Sequence, residues 1–170
     1  MPEQSNTVTS VQCVCGSVTL EAIGPPITSV ICYCDDCQES ARQIEALPNA
    51  VPVNDADGGT AYVLFRKDRV KPVGGEERLC RHKLKEAVAT SRAVASCCNS
   101  ALFIDVEKGH WLSIYRARLH GDLSPVEMRI QTKFKPDLPE MRDGIPGYKA
   151  IPFRFIVKLL KARVAMLFQP

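Results

Sequence analysis

The sequence predicts a mostly-β fold with short helices, one of them amphipathic and C-terminal. Three observations predict it. Short runs rich in β-branched and aromatic residues recur through the first two thirds of the chain, punctuated by glycine, proline and asparagine. Cysteines sit at C-x-C and C-x-x-C spacings, a pattern of metal ligands rather than of isolated buried thiols. A sustained 3.6-residue period appears at the end, after Pro152.

Taken in order, residues 11–23 read as a strand, with Val18 and Leu20 facing one way and Thr19 and Glu21 the other. Gly24-Pro25-Pro26 ends it, and residues 27–33 form the next strand. Residues 38–47 hold helix formers up to Pro48 and predict a short helix. Asn54 to Gly59 is a turn cluster, and TAYVLF, residues 60–65, is a strand. Residues 66–77, charged and broken by Pro72, Gly74 and Gly75, read as a loop. Residues 78–83 and 87–95 pair around Lys85-Glu86, and residues 96–100 make a cysteine-bearing turn before a strand at 101–106. For residues 111–119 the pattern leaves strand and short helix open.

These elements divide into a body at 8–120, a proline-rich connector at 121–150 (Pro125, Pro136, Pro139 and Pro146) and a C-terminal helix at 151–170. Pro152 suits a first helical turn. Phe153, Ile156, Val157, Leu160, Val164 and Leu167 recur on one face, which Phe155, Leu159 and Met166 widen, leaving Arg154, Lys158 and Lys161 as a narrow basic stripe. The expectation is that this face covers the domain's own sheet. A homodimer contact or an interfacial membrane helix is the alternative.

The chain of 170 residues is long enough for one domain with a real core. A net charge of +3 is too small to indicate nucleic acid as a partner. Its distribution is uneven: residues 1–110 hold 11 Lys/Arg against 14 Asp/Glu, and residues 111–170 hold 11 against 5. The first residues lack an apolar signal region, and no apolar run approaches the roughly 20 residues of a membrane span. Eight cysteines at metal-binding spacings without an export signal predict a reducing, cytoplasmic setting.

The chemistry concentrates in residues 31–38, ICYCDDCQ. On an extended chain Cys32 and Cys34 point to one side, and a tight turn over Asp35-Asp36 brings Cys37 round to them. Three thiolates suit zinc, bound at about 2.3 Å in a tetrahedron. A distant fourth protein ligand would close the site as structural; a water or substrate would leave it open for catalysis. A second set, Cys13 and Cys15 with Cys97 and Cys98, has the makings of a closed structural site formed only on folding. Cys80 is left over and reads as a small buried hydrophobe. His82, His110 and His120 lie outside ligand spacing, His82 being the best placed to reach a site.

The C-x-C with Gly16, the Gly24-Pro25-Pro26 turn, C-x-C-x-x-C and the late run Cys98-Asn99-Ser100-Ala101-Leu102-Phe103 together resemble the glutathione-dependent formaldehyde-activating enzyme family, which includes the centromere protein V type. The resemblance spans about residues 11–119. It implies packed antiparallel sheets, a structural zinc on the first C-x-C and the late turn, and a second zinc on the three-cysteine cluster. The implied activity is of the carbon–sulfur lyase type, joining glutathione and formaldehyde or the reverse.

Two departures stand out. Ala95 occupies the place of the family's first late cysteine, and Asn99 that of a glycine. Cys97 can substitute, but Cys97 and Cys98 share one ion only if the backbone bends; a three-thiolate site or one held by packing alone is the other outcome. Asn99 tolerates the left-handed conformation. Secondly, Asp35-Asp36 would repel an anionic thiol across a low-dielectric pocket. They read either as a solvated turn or as general acid/base groups.

The functional expectation is thus a zinc-dependent enzyme adding a small thiol to a small aldehyde, with Asp35 or Asp36 passing the proton. Arg66, Lys67 and Arg69 are candidates for holding substrate carboxylates, and Gly58-Gly59-Thr60 for presenting N–H groups. The competing expectations are a zinc-stabilised β module that binds a macromolecule, and a thiol redox or metal-buffering protein built on Cys97-Cys98.

Overall fold

The computed structural model describes residues 7–137 and 143–168. It is mostly β, with two sheets and two helices. In chain order the strands are β1 (Val8–Gln12), β2 (Thr19–Ile23) and β3 (Thr28–Cys32), then helix α1 (Asp35–Glu45), then β4 (Thr60–Arg66), β5 (Val70–Gly74), β6 (Leu79–His82), β7 (Thr90–Ala95), β8 (Ser100–Val106), β9 (Trp111–Tyr115), β10 (Leu119–His120) and β11 (Met128–Ile130), and finally helix α2 (Phe153–Phe168).

The smaller sheet runs β10-β1-β2-β5 and the larger β11-β3-β4-β9-β8-β7-β6. Every pairing is antiparallel except β11 on β3. The larger sheet is the middle layer. On β4, Val63 and Phe65 face the small sheet and meet Val11, Val18, Leu20 and Ala22. Tyr62 and Leu64 face the other way, toward Cys37 and Ile44 of α1 and Phe155 of α2. Covered on both sides, β4 reads in sequence as one continuous apolar run.

Four expectations change. The strand expected over residues 11–23 is two, β1 and β2, separated by a turn that carries Cys13 and Cys15. Residues 66–77 are not all loop, because they contain β5, an edge strand on β2. Pro72 is tolerated there since an edge strand can spare one N–H. Gly75 follows at φ +73°, where a Cβ would lie 2.0 Å from the carbonyl oxygen of Ser17, so the turn bearing Cys13 and Cys15 presses on a residue with no side chain. Residues 111–119 resolve as β9, a 3₁₀ turn (Arg116–Arg118) and β10. The proline-rich stretch 121–150 supplies β11, so the sheet extends past residue 120, and α2 follows it.

Candidate metal centre

The three-cysteine cluster lies where β3 runs into α1. Cys32 ends β3 between two neighbours, paired with Thr60 of β4 and with Ile130 of β11. Tyr33 donates its backbone N–H to the Ile130 carbonyl. Helix α1 begins at Asp35, earlier than the residues 38–47 expected, so the tight turn over Asp35 and Asp36 is the first turn of that helix. Cys34 is the N-cap residue, its side chain making no capping hydrogen bond, and Cys37 sits on the first turn. The sulfurs of Cys32, Cys34 and Cys37 lie within 4.8 Å of one another. No fourth histidine, cysteine or carboxylate joins them among the described residues.

Cys32 and Cys37 are buried and Cys34 half-buried. Three thiols so close share charge unequally. Hydrogen bonds from Cys32 and Cys37 lower the Cys34 thiol to about 3, and its bonds with Cys34 and Cys37, together with burial, push Cys32 up. The N-terminus of α1 further favours negative charge here.

Residues remote in sequence complete the surroundings. The Tyr62 hydroxyl lies 3.4 Å from the Cys37 sulfur. Its ring packs on Tyr115, centroids 5.0 Å apart. Arg92 of β7, 2% exposed, donates from a terminal nitrogen to the backbone carbonyl of Asp36 at 3.3 Å. Its charge also lowers Cys34. Among the described residues neither the Arg92 Nε nor the Tyr115 hydroxyl, both buried, makes a hydrogen bond of ordinary length, although Arg92 and Tyr62 stand close enough to Tyr115 to act on its phenol. Burial pushes the Tyr115 phenol up to about 12, with the Cys37 charge adding to it. Sequence reasoning misses Arg92, Tyr62 and Tyr115; a buried arginine in an apolar strand, SRAVA, is the available signal.

A buried polar network braces the cluster from behind. Tyr33, between two of the ligand cysteines, donates its hydroxyl hydrogen to Asp57 Oδ2 at 2.5 Å and accepts from Arg129 Nε at 3.0 Å. Arg129 grips Asp143 through two hydrogen bonds of 2.8 Å. The hydrogen bond from Arg129 holds the Asp143 carboxyl down at about 2. Gly59 passes so close that a Cβ would meet Ile31 Cγ2 at 2.3 Å and the Tyr33 ring at 2.9 Å.

Asp35 and Asp36 are exposed. Asp35 lines an open cleft of about 610 Å³ along the outer face of α1, with Gln38, Glu39, Arg42, Glu45, Asn54 and Phe134. Arg42 is paired with Glu39.

The second cluster joins the two sheets. The β1–β2 turn carries Cys13 and Cys15, and the β7–β8 turn carries Cys97 and Cys98. All four sulfurs lie within 4.8 Å of one another. Cys13–Cys15 is 3.6 Å, Cys13–Cys97 3.8 Å, Cys15–Cys97 3.3 Å and Cys97–Cys98 3.9 Å. A tetrahedron of sulfurs at about 2.3 Å from zinc has edges of about 3.8 Å, so the donor set fits such an ion. The required bend exists: Cys98 N–H bonds to the Ala95 carbonyl at 3.3 Å, and Asn99 takes φ 51°. The Val18 N–H donates to the Cys13 sulfur at 3.2 Å. A hydrogen bond with Ser17 leads in lowering the Cys15 thiol to about 6.

Other candidates lie elsewhere or are engaged. Arg66 pairs with Asp68, and Lys67 with Asp105. The N–H groups of Gly58 and Gly59 are taken by the Asp55 carbonyl and the Asp57 carboxylate. His82 reaches Gln43 of α1 at 3.0 Å and His110 the Leu159 carbonyl of α2 at 2.8 Å. Cys80 is exposed, contrary to the buried hydrophobe expected, because β6 is the outermost strand of its sheet.

Residues 8–137 match the family model described as glutathione-dependent formaldehyde-activating enzyme. The chain belongs to that family. No curated protein matches this member significantly. Among solved structures it is similar to a Rhodobacter sphaeroides protein determined as a structural genomics target. That likeness has a TM-score of 0.47 and 15% identity, over 67% of this chain and 90% of the other. The family member thus carries two cysteine clusters able to hold a metal ion, one with four donors and one with three.

Proposed function

We propose that this family member is a zinc-dependent carbon–sulfur lyase-like enzyme that adds a thiol such as glutathione to a small aldehyde, or reverses that addition. The observation that carries the reading is the convergence of Cys32, Cys34 and Cys37 at a helix N-terminus without a fourth protein donor among the described residues. Zinc held by these three would supply Lewis acidity, lowering the pKa of a thiol at its remaining position. Cys13, Cys15, Cys97 and Cys98 would hold a second, structural zinc.

The chain's own residues supply the rest. Arg92 offsets the excess negative charge of three thiolates, which in an apolar pocket would otherwise oppose a fourth. Tyr62 steadies Cys37. Asp35 and Asp36, exposed on the first turn beside Cys34, are the groups to pass the proton to the alkoxide formed when the thiolate attacks the carbonyl, and Asp35 is tested first. The cleft beside Asp35 takes in none of the three cysteines, but it sets three carboxylates, Asp35, Glu39 and Glu45, against Arg42 next to the cluster, so a thiol approaching past it would be favoured by a cationic group and a small aminothiol would suit it. Eight cysteines, none of them in a disulfide, fit a reducing, cytoplasmic setting.

The test is adduct formation followed by NMR, with zinc-loaded protein, formaldehyde, and either glutathione or cysteamine. Acceleration over the protein-free rate is expected, lost in Cys34→Ser and reduced in Asp35→Asn. Zinc-replete protein that accelerates neither thiol would overturn the reading and leave a zinc-stabilised binding module.

A further inference from the structure

We propose that α2 is an interfacial anchor that lays this protein on an anionic lipid surface. Among the described residues the helix is docked to the body by one face only. Phe155 is buried and Leu159 packs on the same cluster, while the Leu159 carbonyl accepts from His110. Lys158 and Arg154 reach Glu127 at 2.7 and 3.9 Å. These contacts fix the rotation of the helix, and they turn its apolar stripe outward. Phe153 is 77% exposed, Leu160 57%, Leu167 70% and Phe168 78%, with Ile156 and Val164 between them. At 3.6 residues per turn these six occupy an arc of about 120°.

Charge decides what covers that stripe. Arg154 and Lys161 flank it along one edge and Arg163 along the other, on a helix of 16 residues with no carboxylate. A second copy docked by the same face would bring cations against cations. An anionic bilayer offers headgroup phosphates and carboxylates to both edges, while acyl chains receive the convex apolar face between them. The helix is about 24 Å long and lies along the surface of the body, and no helix among the described residues is long and apolar enough to cross a membrane. A helix lying in the interface plane meets all of these conditions.

The experiment is co-sedimentation of the full chain with phosphatidylcholine vesicles, with and without phosphatidylserine. Affinity about tenfold or more higher for the anionic vesicles is expected, falling as salt rises. Lys161→Glu with Arg163→Glu should remove about tenfold or more of it, and Leu160→Asp with Leu167→Asp should abolish binding. All four positions are solvent-exposed, and an unchanged circular dichroism spectrum and thiol count confirm that the variants fold. Binding to neither vesicle, or equal binding to both, overturns the proposal. So does a dimer in analytical ultracentrifugation that Leu160→Asp dissociates, which would give the face to a second copy.

Discussion

Arg92 and Tyr115 are polar groups in places where polarity is costly. A buried hydroxyl without a partner costs about 1–3 kcal/mol, so Tyr115→Phe is expected to leave thermal stability unchanged or raise it. If the hydroxyl serves the centre beside it, adduct formation falls in the same variant. Thermal melts and rates measured side by side separate the two effects. Arg92→Leu removes the buried cation beside the three thiols. Outer-shell partners of metal ligands are worth about 10–100-fold in affinity. A competitive chelator titration should show a loss of that order at the three-cysteine cluster, with Arg92→Lys restoring part of it. Neither residue stands out in sequence. An arginine on a strand and a tyrosine after an isoleucine become neighbours only through the registers of β4, β9, β8 and β7. Asn99 is the opposite case: its left-handed φ of 51° follows from a side chain that tolerates it, and that tolerance is legible from the residue type alone.

At the scale of elements, the β3–α1 junction that carries Cys32, Cys34 and Cys37 is held by packing as much as by hydrogen bonds. Gly59→Ala would drive a methyl group into Ile31 and the Tyr33 ring. A cost of about 1–3 kcal/mol in denaturant unfolding is expected, together with weaker metal retention at Cys32 and Cys34, which flank Tyr33. The network behind Tyr33 also gives a pH signature. Asp143 titrates near 2 in the folded protein, below the roughly 3.9 of an unfolded aspartate. Its contribution to stability is therefore complete above about pH 4 and is lost as pH falls toward 2. Asp143→Asn should flatten that limb of a melting-temperature profile. Helix α2 carries a different lesson. Its 3.6-residue period is plain in sequence, and so is the apolar face of Phe153, Ile156, Leu160, Val164 and Leu167. These residues point to solvent, and only the widened edge of the face, Phe155 and Leu159, docks onto the body. Periodicity finds an apolar stripe but does not say what lies against it.

For the molecule as a whole, the two clusters bear different loads. The four-cysteine cluster joins a turn of the small sheet to a turn of the large one, whereas the three-cysteine cluster joins neighbouring elements on one side of the large sheet. A domain is stable by only about 5–15 kcal/mol, and structural zinc contributes on that scale. On the proposed reading Cys97→Ser is expected to lower the melting temperature sharply, and Cys34→Ser to lower it little while abolishing the proposed adduct formation; calorimetry with metal analysis checks both. Local order was decided by the sequence itself: strand runs, turn residues and the C-x-C and C-x-x-C spacings depend on neighbours a few positions apart, where backbone geometry constrains the answer. The β1–β2 turn, edge strand β5, and the convergence of Cys97 and Cys98 on Cys13 and Cys15 were settled only in three dimensions. So were the placement of Arg92 and Tyr115 beside the ligands and the outward rotation of α2. The physical reason is that these depend on which distant strands pair and in which register, and that outcome is set by the summed burial of two cores rather than by any local stretch of chain.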